Sequence, residues 1–202
     1  MSLPHAVIIA GGRGERLGGV RKADLRIGGR RLLDRVTDAL GTVERPLLIS
    51  IGRHAEWNDV PDGVLKLCDL DGLVGGPLAG LAAAIENLAS RGVYEGLLVS
   101  VAVDTPFLPP DFVVRMCAQI QGATSAYAVW GDQFYPPNAV WRIEALASLP
   151  QHVVQNQAPS SLKALQRHLE AQAVDWTDHA KSDPFANLNT LGDLIALQRD
   201  RG

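Results

Sequence analysis

The stretch Ala10–Leu25 reads AGGRGERLGGVRKADL and directly follows the apolar run AVIIA of Ala6–Ala10. A short apolar run that stops at glycine is typical of a buried strand. A loop that leaves the carboxyl end of the first parallel strand lies where such sheets bind their ligands. Glycines let the backbone approach phosphate oxygens and direct N–H groups at them. The stretch therefore predicts a phosphate-binding loop after the first strand.

The charge of the chain is concentrated around this loop. Between Gly11 and Arg31 there are seven arginines and lysines and two acidic residues, a net charge of +5, which leaves −8 for the rest of a chain whose net charge is −3. So narrow a basic segment favours a small polyanion over nucleic acid, whose footprint is wider. The loop has neither the GK[ST] of a P-loop nor a clean GxGxxG register, so its glycines alone indicate only a phosphate binder.

Strand-like and helix-like patterns alternate along residues 5–120. The strand-like runs are HAVIIA, PLLISI, GVLKLC and GLLVSVAVD. This alternation predicts right-handed crossovers and an α/β fold, a doubly wound, mainly parallel sheet with helices on both faces. We expect one domain over residues 1–202, with a nucleotide-binding half of about 1–105 and an acceptor-substrate half of about 106–202.

The remaining segments extend this pattern. SAYAVWGDQFYPPNAVW predicts two strands around a turn at Gly131–Asp132, and NTLGDLIALQRDR predicts a C-terminal helix. The polar segment Gln151–Ser160 is expected to be the most flexible part of the chain.

Composition excludes several classes of protein. Hydrophobic residues make up 47% of the chain, which is typical of a globular protein, and there is no 18-residue apolar stretch or recognisable signal peptide. The two cysteines, Cys68 and Cys117, are predicted to be reduced and buried, which favours the cytoplasm. The five histidines lack metal-ligand spacing, and GxSxG is absent, so zinc protease and serine hydrolase chemistry have no support.

Asp104 is the strongest candidate for a metal ligand. It ends the most strand-like run and precedes TPFLPP, whose prolines stop the strand. A carboxylate at the carboxyl edge of a parallel sheet faces the glycine loop. Mg²⁺ favours one or two carboxylates together with substrate phosphates, so Asp104 is predicted to hold Mg²⁺.

Four blocks of the chain carry a resemblance to a known family. They are AGGRGERLGGVRK, GGPLAGLAAAI, VAVDTPFLPPD and DPFANLNTLGDL, and they span the sequence from end to end. In this order they resemble the molybdenum cofactor guanylyltransferases, the MobA family of nucleotidyltransferases. The resemblance implies transfer of GMP from GTP to the terminal phosphate of molybdenum-molybdopterin, with Mg²⁺ as cofactor and pyrophosphate as the second product. It also implies transient docking to cofactor-insertion proteins or molybdoenzymes.

The same resemblance assigns residues to the site. The catalytic set is Arg16, Lys22 and Asp104. The nucleotide-binding set is Ile9, Ala10, Gly11, Gly12, Arg13, Gly14, Lys22, Ser50, Asp69, Gly76, Pro77 and Leu78. The acceptor-substrate set is Gly19, Asn187 and Asn189.

The sequence departs from the family pattern near the acceptor substrate. Arg21 stands where an acidic residue is usual, Phe134–Trp141 where a His-Pro pair is usual, and Leu191 where proline is usual. On the nucleotide side, Ser50 stands where the resemblance implies asparagine as a base or ribose contact. A molybdopterin cytidylyltransferase and a sugar-phosphate nucleotidyltransferase therefore stay open. A non-catalytic nucleotide-sensing module is the alternative of another class, and the intact Lys22 and Asp104 count against it.

Overall fold

A computed structural model of the protein describes residues 2–11, 21–53, 57 and 60–188. Its strands are β1 (His5–Ile9), β2 (Arg26–Ile27), β3 (Arg30–Arg31), β4 (Leu47–Ser50), β5 (Val64–Leu67), β6 (Leu97–Ala102), β7 (Ser125–Trp130), β8 (Gln133–Arg142) and β9 (Gln172–Asp175). Its α-helices are α1 (Leu32–Leu40), α2 (Pro77–Ser90), α3 (Phe112–Gln119), α4 (Leu149–Val154) and α5 (Leu162–His168).

Seven of the strands form one sheet in the order β5-β4-β1-β6-β8-β7-β9. Strands β5, β4, β1 and β6 are parallel to one another. Strand β8 runs antiparallel between β6 and β7, and β9 is parallel to β7. The predicted mainly parallel sheet is confirmed. The carboxyl ends of its four parallel strands meet at one edge, which brings residues that are distant in sequence together there.

Apolar side chains cover both faces of the sheet. One buried cluster joins the sheet to α1 and α3 and includes Val36 and Phe112. The other joins it to α2, α4 and α5 and includes Leu81, Val153 and Leu165. The predicted helices on both faces are therefore confirmed, because each helix buries its apolar residues against the sheet.

Helix ends follow the expected chemistry. Helix α1 stops at Gly41, whose φ of 60° suits glycine, and its N–H donates to Asp38 O at 3.1 Å. Helix α2 begins with Pro77 in its first turn, where the missing N–H of proline costs no helical hydrogen bond.

Several details differ from the sequence predictions. Part of the segment expected to be flexible is helix α4, because Leu149 and Val153 are buried. Cys68 is exposed rather than buried, since strand β5 lies at the edge of the sheet. Cys117 is half-buried, and burial raises the pKa of its thiol to about 11.

A short hairpin of β2 and β3 precedes α1, with its turn at Gly28–Gly29. The predicted C-terminal helix, from Asn189 onward, lies outside the described residues. In the part of the chain that the structure describes, none of the helices combines the length and the apolar character needed to cross a membrane.

Candidate active site

The candidate site lies at the edge where the parallel strands end. The N–H of Ala10 donates to Ser50 O at 2.8 Å, and the N–H of Val103 donates to Ile9 O at 3.1 Å. These bonds continue the pairing of β1 with β4 and β6 just past the strand ends. The predicted residues Ile9, Ala10 and Ser50 are therefore neighbours, and Asp104 directly follows this pairing.

Lys22 and Asp104 meet at this edge. A short 3₁₀ turn, Lys22–Asp24, is anchored by Ala23, whose side chain is buried. The Nζ of Lys22 donates to Asp104 Oδ2 at 2.6 Å. The two side chains are 24% and 16% exposed, so both remain accessible from solvent. The structure thus brings together two residues, 82 positions apart in the sequence, that the sequence assigned to one site.

The segment before the C-terminus also reaches Asp104. The N–H of Leu188 donates to the backbone oxygen of Asp104 at 3.2 Å. The side chain of Leu188 is buried in a small cluster with Ile27 and Leu32. This anchoring places the exposed Asn187 one residue away from a contact with the site.

Ser50 lies behind Asp69. Its side chain is fully buried, and its hydroxyl donates to Asp69 Oδ1 at 2.8 Å. Burial raises the pKa of Asp69 above its usual value, while the Ser50 hydrogen bond and the positive charge of Arg53 partly oppose this rise. The hydroxyl of Ser50 thus has the carboxylate of Asp69 as a partner, and its contact with a nucleotide stays a prediction.

Two glycines allow close packing around these residues. A Cβ at Gly80 of α2 would lie 2.3 Å from Ser50 Oγ, and a Cβ at Gly11 would lie 3.0 Å from the backbone nitrogen of Gly52. The sequence reasoning identified Gly11 but missed Gly52 and Gly80. Gly52 directly follows the strand PLLISI, and a glycine in that position could have indicated a close approach of two backbones. The close contact at Gly80 could not be predicted, because it depends on how α2 packs against Ser50.

The loop from Asp69 to Gly76 is held from two sides. The guanidinium of Arg53 donates to Val74 O at 2.9 Å and also to Gly72 O. The N–H of Leu73 donates to Asn156 Oδ1 at 2.6 Å. Asn156, which follows α4 and lies 83 residues further along the chain, therefore helps to fix this loop.

This loop leads into the start of α2, where three predicted nucleotide-binding residues lie. Gly76 has a φ of 66° and directly precedes Pro77. Leu78 is 2% exposed and packs in the core. Its predicted contact with a nucleotide would therefore use its backbone rather than its side chain.

Six predicted residues lie outside the described part of the chain. They are Gly12, Arg13, Gly14, Arg16, Gly19 and Asn189. Their assignments remain predictions.

The donor set at Asp104 fits Mg²⁺. Within residues 2–11, 21–53, 57 and 60–188, no three His, Cys, Asp or Glu side chains lie together so as to hold a metal ion. Asp104 offers one carboxylate at an accessible edge, and the Lys22 ammonium already lies against one of its oxygens. A single carboxylate completed by substrate phosphates is a usual arrangement for Mg²⁺.

Comparison with known proteins shows the family of the chain. A family model described as the MobA-like NTP transferase domain matches residues 6–174. A molybdenum cofactor guanylyltransferase from Acidiphilium cryptum is 34% identical over 198 residues, which cover 98% of this chain and 95% of that protein. A molybdenum cofactor guanylyltransferase from Rhizobium rhizogenes is 29% identical over 197 residues, which cover 95% of this chain and 89% of that protein.

Solved structures share the fold. Molybdopterin-guanine dinucleotide biosynthesis protein A from Archaeoglobus fulgidus matches with a TM-score of 0.70 at 20% identity, over 97% of both chains. A 2-C-methyl-D-erythritol 4-phosphate cytidylyltransferase from Thermus thermophilus matches with a TM-score of 0.67 at 18% identity, over 98% of this chain and 100% of that chain. The family match runs from β1 into β9 and so includes the edge where Lys22 meets Asp104. The chain therefore belongs to the MobA-like NTP transferase family and is a nucleotidyltransferase.

Proposed function

We propose that this protein transfers GMP from GTP to the terminal phosphate of molybdenum-molybdopterin. The products are molybdopterin guanine dinucleotide and pyrophosphate. The observation that carries the proposal is the contact between Lys22 and Asp104, because it joins a cation next to the glycine loop to a carboxylate at the end of β6. The guanylyltransferase names of the relatives, which align over nearly the whole chain, support GTP as the nucleotide.

The reaction requires that the two substrates be positioned and that the charge on the leaving group be neutralised. An oxygen of the acceptor phosphate attacks the α-phosphorus of GTP, and the bond from that phosphorus to the bridging oxygen of the β-phosphate breaks. Pyrophosphate leaves with the electron pair. A phosphate monoester is already anionic near neutral pH, so no general base is required. The protein's residues act by holding both substrates in line and balancing the charge on the leaving group.

Lys22 and Asp104 take different parts in this reaction. Lys22, together with Arg16, would neutralise the negative charge that builds on pyrophosphate as it leaves. Asp104 would hold Mg²⁺, which when bound supplies positive charge beside the phosphates. Their side chains are in contact and partly exposed, so a triphosphate bound at this edge of the sheet would meet both of them.

The nucleotide would be bound largely by the backbone. Gly11, with Gly12 and Gly14, would bring N–H groups to the phosphates. Asp69, held by Ser50, would accept hydrogen bonds from the base or ribose. The start of α2 at Gly76–Leu78 would approach the base, and Gly19, Asn187 and Asn189 would contact the acceptor.

The test is a transfer assay with purified protein, Mg²⁺ and molybdenum-molybdopterin, with GTP and CTP compared. Pyrophosphate release and the mass of the dinucleotide product are measured together. We expect the guanine dinucleotide, and we expect its loss in Lys22→Met and Asp104→Asn. A cytosine product would assign the protein to the cytidylyltransferases instead. Nucleotide binding in a thermal-shift titration without any product would indicate a sensing module.

A further inference from the structure

Asp104 lies in a tight turn that is closed on one side by Thr105. The side chain of Thr105 is fully buried, and its hydroxyl donates to Ala102 O at 2.7 Å. The N–H of Thr105 donates to the same oxygen at 3.3 Å. The backbone oxygen of Ala102 is thereby fixed, and the turn that follows it has one defined shape.

The other backbone group of Ala102 is held by a side chain from β8. The N–H of Ala102 donates to Asn138 Oδ1 at 2.9 Å. Asn138 is 1% exposed and lies 36 residues further along the chain. A side chain is needed here because the pairing of β6 with β8 stops at Ser100 and Ala139.

Prolines explain why the backbone pairing stops. Pro136 and Pro137 precede Asn138 in β8 and have no N–H to donate. The hydroxyl of Ser100 donates to Pro137 O at 2.7 Å, so side chains replace backbone groups at two successive points. Ser100 bonds the backbone of β8, whereas Asn138 bonds Ala102, the residue at which the turn begins.

The side-chain amide of Asn138 makes one hydrogen bond among the residues that the structure describes, and its oxygen is the acceptor. Its Nδ2 is buried and has no hydrogen-bond partner among the residues that the structure describes. Buried amides in proteins usually satisfy both of their ends. The bond to Ala102, two residues before Asp104, is thus the contact through which this amide acts.

We infer that Asn138 is a positioning residue for Asp104: by fixing the N–H of Ala102 it sets the direction in which the Asp104 carboxylate leaves the turn. This inference rests on the proposed function, in which that carboxylate must meet a triphosphate and its metal ion. Asn138 itself touches neither substrate. It acts through the backbone of Ala102.

The experiment compares three variants of the full chain. Asn138→Leu has nearly the same size and no acceptor, whereas Asn138→Asp keeps an oxygen that can accept the N–H of Ala102. Ser100→Ala is the matched control, since it removes another buried bond between the same two strands without touching the turn. For each variant kcat, the KM for GTP and the melting temperature are measured. Binding of Mn²⁺ in the presence of GTP is followed by electron paramagnetic resonance.

We expect Asn138→Leu to weaken Mn²⁺ binding and lower kcat by about tenfold or more, as is usual when a residue that orients a metal ligand is lost. The KM for GTP should stay unchanged, and Asn138→Asp should recover part of kcat. Ser100→Ala should lower the melting temperature while keeping both Mn²⁺ binding and kcat. If Asn138→Leu does not fold, Asn138→Ser, which is too short to reach Ala102, replaces it.

Two results would overturn the inference. One is normal Mn²⁺ binding in the folded variant without an acceptor. The other is a loss of kcat in Ser100→Ala that matches the loss at Asn138, because the effect would then come from general destabilisation. A wild-type protein that transfers no GMP refutes the proposed function instead, and the Mn²⁺ measurement with GTP still tests the role of Asn138.

Discussion

Lys22 and Asp104 form an ion pair with Nζ 2.6 Å from Oδ2, although 82 residues separate them in the sequence. Both side chains keep some exposure to solvent. Ion pairs near the surface contribute about 1 kcal/mol or less to stability. The pair therefore contributes little to the stability of the fold. Its role is to place an ammonium group and a carboxylate side by side at the edge of the sheet.

Replacing Lys22 by methionine should separate catalysis from stability. Methionine keeps most of the apolar stem and removes the charge. We expect kcat to fall by about 10²- to 10³-fold, the usual loss when one group that stabilises the transition-state charge is removed. The melting temperature should change little. Steady-state transfer assays and thermal unfolding measure the two quantities.

Arg30→Met is the control for this variant. Arg30 also belongs to the basic segment and pairs with Asp38, but their side chains are 54% and 63% exposed and neither residue is among the predicted site residues. Its transfer rate should match that of the wild type. Equal losses in both variants would show that net charge, rather than the position of Lys22, controls the rate.

Gly80→Ala should destabilise the protein although alanine favours helices. The new Cβ would lie 2.3 Å from Ser50 Oγ and 2.8 Å from Ser50 Cβ. Overpacking of this kind costs about 1–3 kcal/mol, whereas the gain in helix propensity is about 1 kcal/mol. Urea denaturation measures the difference. Gly122→Ala, with no atom within 4 Å of its new Cβ, should stay within about 0.5 kcal/mol of the wild type.

Asp69→Asn should change how stability depends on pH. Burial raises the pKa of Asp69 in the folded state above its usual value of 3.8. The folded chain then binds this proton more tightly than the unfolded chain. The stability from Asp69 is therefore complete below the unfolded pKa and is lost as pH rises through the folded pKa. Asparagine keeps an acceptor for Ser50 but cannot ionise.

The variant should thus gain stability relative to the wild type as pH rises from about 3 to about 7. Denaturation curves for both proteins at several pH values in this range measure the gain. A difference that shrinks with rising pH would mean that the folded protein prefers the ionised carboxylate.

Tyr135→Phe should loosen the segment that ends at Leu188. The hydroxyl of Tyr135 donates to Asp183 Oδ2, and Asp183 Oδ1 accepts the N–H of Phe185 at 2.9 Å. Burial and the nearby Asp183 raise the pKa of Tyr135, so its hydroxyl stays protonated as a donor. Loss of a hydrogen bond to a charged group costs about 1.5–3 kcal/mol.

Limited proteolysis and denaturation test this prediction together. The variant should be cut faster near residues 183–188 and should unfold at a lower denaturant concentration. Tyr94→Phe is the control, because Tyr94 is 67% exposed, and it should lie within about 0.5 kcal/mol of the wild type. Equal cleavage of Tyr135→Phe and the wild type would show that the aromatic packing of Phe185 suffices to hold the segment.

The sequence was informative where one rule of parallel sheets decides the outcome. The meeting of Lys22 and Asp104 could be predicted because the ends of neighbouring parallel strands share an edge. The hydrogen bond from Ser50 to Asp69 could not, since a polar residue at a strand end does not reveal whether its hydroxyl faces a ligand or a neighbouring side chain. The hydrogen bond between Ala102 and Asn138 could not be predicted either, because it depends on the residue at which the pairing of β6 with β8 stops. Helix α4 was not predicted, because the segment that follows Pro150 is mostly polar and only Leu149 and Val153 of the helix are buried.

The antiparallel strand β8 has a consequence for any attempt to shorten this protein. It covers β6 from Leu97 to Ser100, and β6 in turn carries the chain to Asp104. A fragment that stops at residue 105 would leave the N–H and C=O groups of β6 that face β8 unpaired along an apolar edge, which is a template for intermolecular strand addition. We expect such a truncation to aggregate rather than to bind nucleotide, so the glycine loop cannot be transplanted as a stand-alone module.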